Sequence, residues 1–136
     1  MMVSTRGRYA IRVMIDLAEN AGKGYIPMWD IAKRQDISPN YLARILPVLA
    51  KNGLIDGVHG KGGGYKLMRP AKDCTVGEIL RLTEENLAPV ACLECSAEPC
   101  RRAAECKTLP MWKKVNCMLD DYFGKVSIQD IIDGNI

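Results

Sequence analysis

Apolar residues near the start of the chain recur at the helical period: Ala10, Val13, Met14, Leu17, Ala18 and Ala21. That spacing puts them on one face and predicts a helix from about Thr5 to Ala21. Ser4 or Thr5 serves as its N-cap, and Gly22 and Gly24 end it. Pro27 opens a short second helix, Met28 to Gln35, with Ile31 and Ala32 facing inward. After a turn at Asp36-Ile37, Ser38 provides an N-cap directly before Pro39 at the first helical position. The third helix runs to about Asn52, carries Leu42, Ile45, Leu46 and Leu49 as its apolar stripe, and is closed by Gly53. Pro47 falls inside it, where it removes the bond to the Ala43 carbonyl and bends the axis.

Leu54-Ile55 begins a strand, and Gly64-Tyr65-Lys66-Leu67-Met68 reads as its antiparallel return. Thr75-Val76-Gly77-Glu78 is a capping box that opens a fourth helix bearing Val76, Ile79 and Leu80. From Pro110 a further helix runs to about Phe123 with Met111, Trp112, Val115, Met118, Leu119, Tyr122 and Phe123 apolar. That arc is wider than one core contact requires, so the helix is expected to pair with its copy across a twofold axis. Ser127-Ile128-Gln129-Asp130 caps a short last helix, Ile128 to Asp133. The fold class predicted is mainly α with a small β-hairpin wing: a winged helix-turn-helix with a C-terminal dimerisation helix. Its divisions are a DNA-binding domain at 1–85, a cysteine-rich loop at 86–107, and the dimerisation and terminal helices at 108–136.

The short turn between the second and third helices makes a helix-turn-helix pattern. The second member of such a pair enters the major groove with its N-terminal residues on base edges. That brings Ser38, Asn40, Tyr41 and Arg44 forward as DNA-reading residues. The segment between the strands, 56–63, suits a wing: its glycines, Gly62 among them, let the backbone approach DNA, and His59 and Lys61 provide donors. The run 60–64 lacks the spacing of a phosphate-binding P-loop.

Charge sharpens this reading. The net charge is only +3, but residues 1–70 balance at +6 and residues 71–136 at −3. A basic front half is the electrostatic footprint of a nucleic-acid binder. Arg6, Arg8 and Arg12 lie on or near the polar face of the first helix, either as a solvated face or as phosphate contacts at the helix start. At 136 residues the chain makes one compact domain with an appended helix. No apolar run approaches a membrane span and no secretory leader is visible, which points to the cytoplasm and no membrane partner.

Six cysteines in a reducing compartment argue for metal or redox chemistry over a disulfide framework. Four of them, Cys92, Cys95, Cys100 and Cys106, are spaced C-x2-C-x4-C-x5-C around Pro99 on a segment too polar for a core. Soft thiolates on such a loop select an iron–sulfur cluster, zinc or copper(I), and a thiol–disulfide switch or a silent loop are the other readings. Cys74 and Cys117 read as packing. An enzyme would need a base or nucleophile in a cleft, and no such constellation can be placed around the single histidine. An electron carrier would leave the wing and the helix-turn-helix without a purpose.

Taken in order, Ser4-Thr5-Arg6-Gly7-Arg8-Tyr9-Ala10, Asp30-Ile31-Ala32, Ile37-Ser38-Pro39-Asn40-Tyr41-Leu42, Leu49-Ala50-Lys51-Asn52-Gly53-Leu54-Ile55, Gly60-Lys61-Gly62-Gly63-Gly64-Tyr65 and Thr75-Val76-Gly77-Glu78-Ile79 resemble the signature segments of the IscR-type family of winged helix-turn-helix transcription regulators. The resemblance implies a homodimer on a near-palindromic double-stranded DNA operator. It also implies an iron–sulfur cluster, 2Fe–2S ahead of 4Fe–4S, that controls DNA affinity, while zinc stays the alternative that the four thiolates themselves leave open. By the same resemblance Cys92, Cys100 and Cys106 hold the cluster. The histidine that some relatives use as fourth ligand is Leu109 here, and Cys95, an extra thiol, is the expected substitute. Relatives that take a ligand from the first helix of the other subunit differ as well, because Arg8 and Arg12 occupy that region.

Overall fold

The computed structural model describes residues 3–136, so the first two residues of the expected DNA-binding domain lie outside the described residues. Among the described residues the order is α1 (Thr5–Glu19), α2 (Met28–Gln35), α3 (Pro39–Lys51), β1 (Ile55–Val58), β2 (Gly64–Leu67), α4 (Val76–Thr83), α5 (Leu109–Lys125) and α6 (Ile128–Asp133). Single 3₁₀ turns occur at Ala71–Asp73 and Ala91–Leu93. Mainly helical with one antiparallel hairpin, this is the architecture the periodicity predicts.

The caps explain most boundaries. Ser4 is extended and its hydroxyl accepts from the Gly7 N–H at 3.1 Å. α1 stops at Glu19, short of the expected Ala21, because Asn20 leaves the helix and its side-chain amide donates to the Asp16 carbonyl at 2.8 Å. Ser38 accepts from the Tyr41 N–H at 3.1 Å, with Pro39 in the first turn. α3 passes through Pro47 without a break. Ala43 and Pro47 are both exposed, so the carbonyl that Pro47 cannot bond lies on the hydrated side.

α1 is the central element. Ala10, Val13, Met14 and Leu17 are buried in one cluster with Ile31, Leu42, Ile45, Leu46, Leu49, Leu54, Ile79 and Ile128. Pooling these side chains is the main driving force for the fold, at about 1.5–3 kcal/mol for each large aliphatic group fully buried. The hairpin pairs Ile55 with Leu67 and Val58 with Gly64. Ile26 adds a further rung to β2, exchanging two hydrogen bonds of 2.8 Å with Tyr65. The root of the wing is thereby tied to the chain entering α2.

Two caps behave differently from each other. Thr75 accepts from the Glu78 N–H at 3.2 Å, but the Glu78 carboxylate pairs with Arg69 at 2.6 Å instead of returning to the cap. Only half of the expected box at α4 forms. At α6 both halves form, between Ser127 and Asp130. The Ile128 N–H donates to the Cys74 carbonyl at 2.8 Å, which brings α6 back to the start of α4 and buries Ile128. α5 starts one residue before and ends two residues after its expected limits. It packs on α4, where a Cβ on Gly77 would stand 3.1 Å from the Phe123 backbone; the missing side chain permits that approach. No residue of α5 is fully buried.

Candidate functional site

The helix-turn-helix is supported on α1 by a network of polar and aromatic contacts. The Asp16 carboxylate is buried on α1 and receives Arg34 through Nε at 2.9 Å and Nη2 at 2.8 Å, and the Gln35 amide at 3.1 Å. Arg12 donates through Nε to the Gln35 side-chain oxygen at 3.3 Å, and its Nη2 also donates to the Gln35 carbonyl. The same guanidinium lies 5.2 Å from the centre of the Tyr9 ring. Tyr9 in turn meets Tyr41 edge to face, with ring centroids 5.2 Å apart. The C-terminus of α2 and the N-terminus of α3 are therefore both referenced to α1.

On this support α3 buries Leu42, Ile45, Leu46 and Leu49 and leaves Ser38, Asn40, Ala43, Arg44, Pro47 and Lys51 exposed. The exposed stripe carries two cations and no acid. Tyr41 is half-buried against Tyr9. His59, Lys61 and Gly62 are exposed at the wing tip, where Gly60 at φ +92° and Gly62 at φ +77° turn the chain. The base of the wing is held by the Tyr25 hydroxyl, which donates to Asp56 at 2.6 Å, while Lys66 Nζ sits 4.7 Å from the centre of the Tyr25 ring. The Asp56 hydrogen bond holds the Tyr25 phenol above its ordinary pKa. Arg8 is exposed and donates to Thr5 at 3.1 Å. Arg6 lines a cleft of about 510 Å³ with Ser4, Glu84, Glu85, Val90 and Glu94, and its buried Nε has no acceptor among the described residues.

The cysteine loop lies between α4 and α5. All six cysteines are free thiols; Cys92, Cys95 and Cys100 are exposed, Cys106 is half-buried and Cys74 is buried. Burial pushes the Cys74 thiol up in pKa, which agrees with a packing role. Cys117 is exposed on α5. Cys106 stands just before α5 with its sulfur 3.3 Å from the Thr108 hydroxyl. Hydrogen bonds from the Thr108 side chain and backbone, then from the Leu109 N–H, hold the Cys106 thiol below its ordinary pKa, helped by the positive charge of Arg102. Cys95 lines a separate cleft with Arg81, Glu84, Glu94, Asn116 and Asp120. Among the described residues no three His, Cys, Asp or Glu side chains converge on a point where a metal could sit. The donors are of the type that holds an iron–sulfur cluster.

Residues 3–134 match the Rrf2 family, described as iron-dependent transcriptional regulators. The chain belongs to that family. It is a winged-helix transcription regulator and not an enzyme. One Rrf2 relative, the HTH-type transcriptional regulator IscR of Xenorhabdus nematophila, is 33% identical over 132 residues, covering 97% of this chain and 79% of the relative. The solved structure of T. potens IscR superposes with a TM-score of 0.77 at 32% identity, covering 100% of this chain and 89% of that one. An oxidized form of Staphylococcus aureus CymR superposes at 0.75 with 30% identity, covering 96% and 95%. No helix among the described residues is long and apolar enough to cross a membrane.

Two features of this Rrf2 protein escape sequence reasoning. The Asp16 network has a faint signal, an acid at a position of α1 that faces the core, but its partners lie 18 and 19 residues away. Thr108 lies just ahead of the helix expected from Pro110, and only the structure turns its hydroxyl toward Cys106.

Proposed function

We propose that this chain acts in the cytoplasm as a homodimer on a near-palindromic operator, and that chemistry at the 92–106 loop sets its DNA affinity. The observation that carries the reading is the exposed stripe of α3, with Asn40 and Arg44 in solvent, together with the exposed glycine–lysine wing, on a chain whose residues 3–134 match the Rrf2 family. Ser38, Asn40, Tyr41 and Arg44 make up the major-groove face. His59, Lys61 and Gly62 serve the flanking groove, and Arg6 and Arg8 supply phosphate contacts at the start of α1. The exposed apolar face of α5, with Met111, Met118 and Tyr122 more than half exposed, is the dimer seam.

An iron–sulfur cluster held by Cys92, Cys100 and Cys106 is the sensor, with 2Fe–2S as its form. When bound, such a cluster supplies a redox-active, oxidisable charge centre. The chain's own part is to hold it between α4 and the N-terminus of α5, close to the proposed seam. Anaerobic purification followed by iron and sulfide analysis tests the cluster. Operator binding by the loaded and stripped forms tests its control.

A second reading has an observation of its own. The depressed Cys106 thiol and the likeness to an oxidized CymR favour direct thiol oxidation. Peroxide treatment of metal-free protein separates the two: a change in operator binding that a reductant reverses supports the thiol switch, and no change supports the cluster alone.

A further inference from the structure

One of the two tryptophans stands in solvent: Trp29, in the first turn of α2, is 69% exposed. A single exposed apolar side chain is ordinary on a protein surface, and its place in the fold decides whether it has a use. Trp29 stands where α2 meets the wing. Two residues before it, the chain packs on β2 so closely that a Cβ on Gly64 would stand 2.8 Å from the Pro27 nitrogen. Ile26 is held to Tyr65 by two hydrogen bonds of 2.8 Å. On the other side of β2, Gly64 pairs with Val58, which is 44% exposed. Two residues span at most about 7 Å. Trp29 therefore lies at the root of the hairpin whose tip presents His59, Lys61 and Gly62.

The helical period sorts the side chains of α2 into a buried face and two flanks. Met28, Ile31 and Ala32 pack on the core. Asp30 and Arg34 share one flank, which is the side toward α1, because Arg34 reaches the Asp16 carboxylate there. Trp29 and Lys33, also four residues apart, share the opposite flank, and both are exposed. No acid within α2 lies on that flank, and no carboxylate among the described residues pairs with Lys33. An indole N–H is a donor that accepts nothing, and the lysine ammonium adds a full charge beside it. In a helix-turn-helix the first helix crosses the sugar–phosphate backbone while the second reads base edges. A donor and a cation on the solvent flank of the first helix, at the root of the wing, suit that backbone.

We propose that Trp29 and Lys33 grip the DNA backbone: the indole N–H donates to a phosphate oxygen and the Lys33 ammonium pairs with a neighbouring phosphate. The assignment rests on the DNA-binding reading above. It adds contacts that fix the duplex in place without reading its sequence.

The probe for the test is a duplex that the parent chain itself selects from random sequence, with a scrambled duplex beside it. Fluorescence anisotropy over a range of salt compares the parent with Trp29→Phe, Lys33→Ala and Arg44→Ala, and far-ultraviolet circular dichroism checks each fold. Trp29→Phe keeps an aromatic ring and loses the N–H. It is expected to weaken binding to both duplexes by about tenfold, the scale of one hydrogen bond to a charged group. Lys33→Ala is expected to reduce the salt slope by about one. In Trp112→Phe the remaining emission comes from Trp29 and should change when duplex binds. Parent-like affinity in Trp29→Phe, or Trp29 emission that ignores bound duplex, overturns the proposal and leaves this flank to a protein partner. A parent-like salt slope in Lys33→Ala overturns the lysine contact. Weakened binding in Arg44→Ala with Trp29→Phe unchanged strikes this grip alone. A parent chain that selects no duplex strikes the DNA-binding reading beneath it as well, so the two failures are told apart.

Discussion

The Asp16 carboxylate, 2% exposed, receives a two-point hydrogen bond from Arg34, whose side chain is 40% exposed. One member of the pair is enclosed and the other keeps contact with water, so losing either member has a different cost. Arg34→Ala leaves a charged carboxylate buried with Gln35 as its remaining side-chain donor, and is expected to destabilise the fold by about 3 kcal/mol. Asp16→Ala frees an arginine that water can solvate, and is expected to cost about 1–2 kcal/mol. Denaturant unfolding of both variants and the double mutant checks the order; the double mutant should resemble Asp16→Ala.

Arg44 and Lys61 stand on different parts of the proposed DNA surface and should fail differently. Arg44→Ala is expected to weaken operator binding by about 1–3 kcal/mol and to relax discrimination at one base pair. Lys61→Ala should weaken binding to all sequences alike and reduce the salt slope by about one. Fluorescence anisotropy on operator and scrambled duplexes at several salt concentrations separates the two. Parent-like binding by both variants would move the interface elsewhere.

Met118 is 60% exposed in the single chain and lies with Val115, Leu119 and Tyr122 around one apolar hollow on α5. A charge placed there costs the monomer's own fold little and would be buried in a dimer. Met118→Glu is therefore expected to give folded monomers with poor operator affinity, as measured by sedimentation and anisotropy. An unchanged dimer would take this face out of the seam.

The Cys106 thiol is held below its ordinary pKa, first by the Thr108 hydroxyl and then by backbone N–H groups. A depressed thiol carries more thiolate at neutral pH, and the advantage disappears once the pH passes the ordinary value of about 8.5. In metal-free protein, iodoacetamide should modify Cys106 faster at pH 7 than it modifies the same cysteine in the chain unfolded in urea. The two rates should converge above pH 9 or so, as ordinary thiols also ionise. Peptide mapping by mass spectrometry follows the site, and equal rates at pH 7 would contradict the hydrogen-bonded sulfur.

Local chemistry was enough to write down most of the elements. Ser38-Pro39 opens α3, Ser127 with Asp130 caps α6, and the spacing of Leu42, Ile45, Leu46 and Leu49 marks the buried face, because caps and periodicity act within four or five residues. The same short range made the helix-turn-helix, the wing and the cysteine spacing legible. The folded chain alone decided which polar groups meet across distance. Asp16 finds Arg34 18 residues away, Ser4 hydrogen-bonds Glu84 80 residues away, and Glu78 leaves its cap for Arg69. It also decided that Cys95 lines a cleft with α5 residues such as Asp120, while the Cys106 sulfur meets the Thr108 hydroxyl. Spacing bounds how far apart two side chains can be, whereas their direction follows from packing against α4 and α5, and ligand geometry depends on direction.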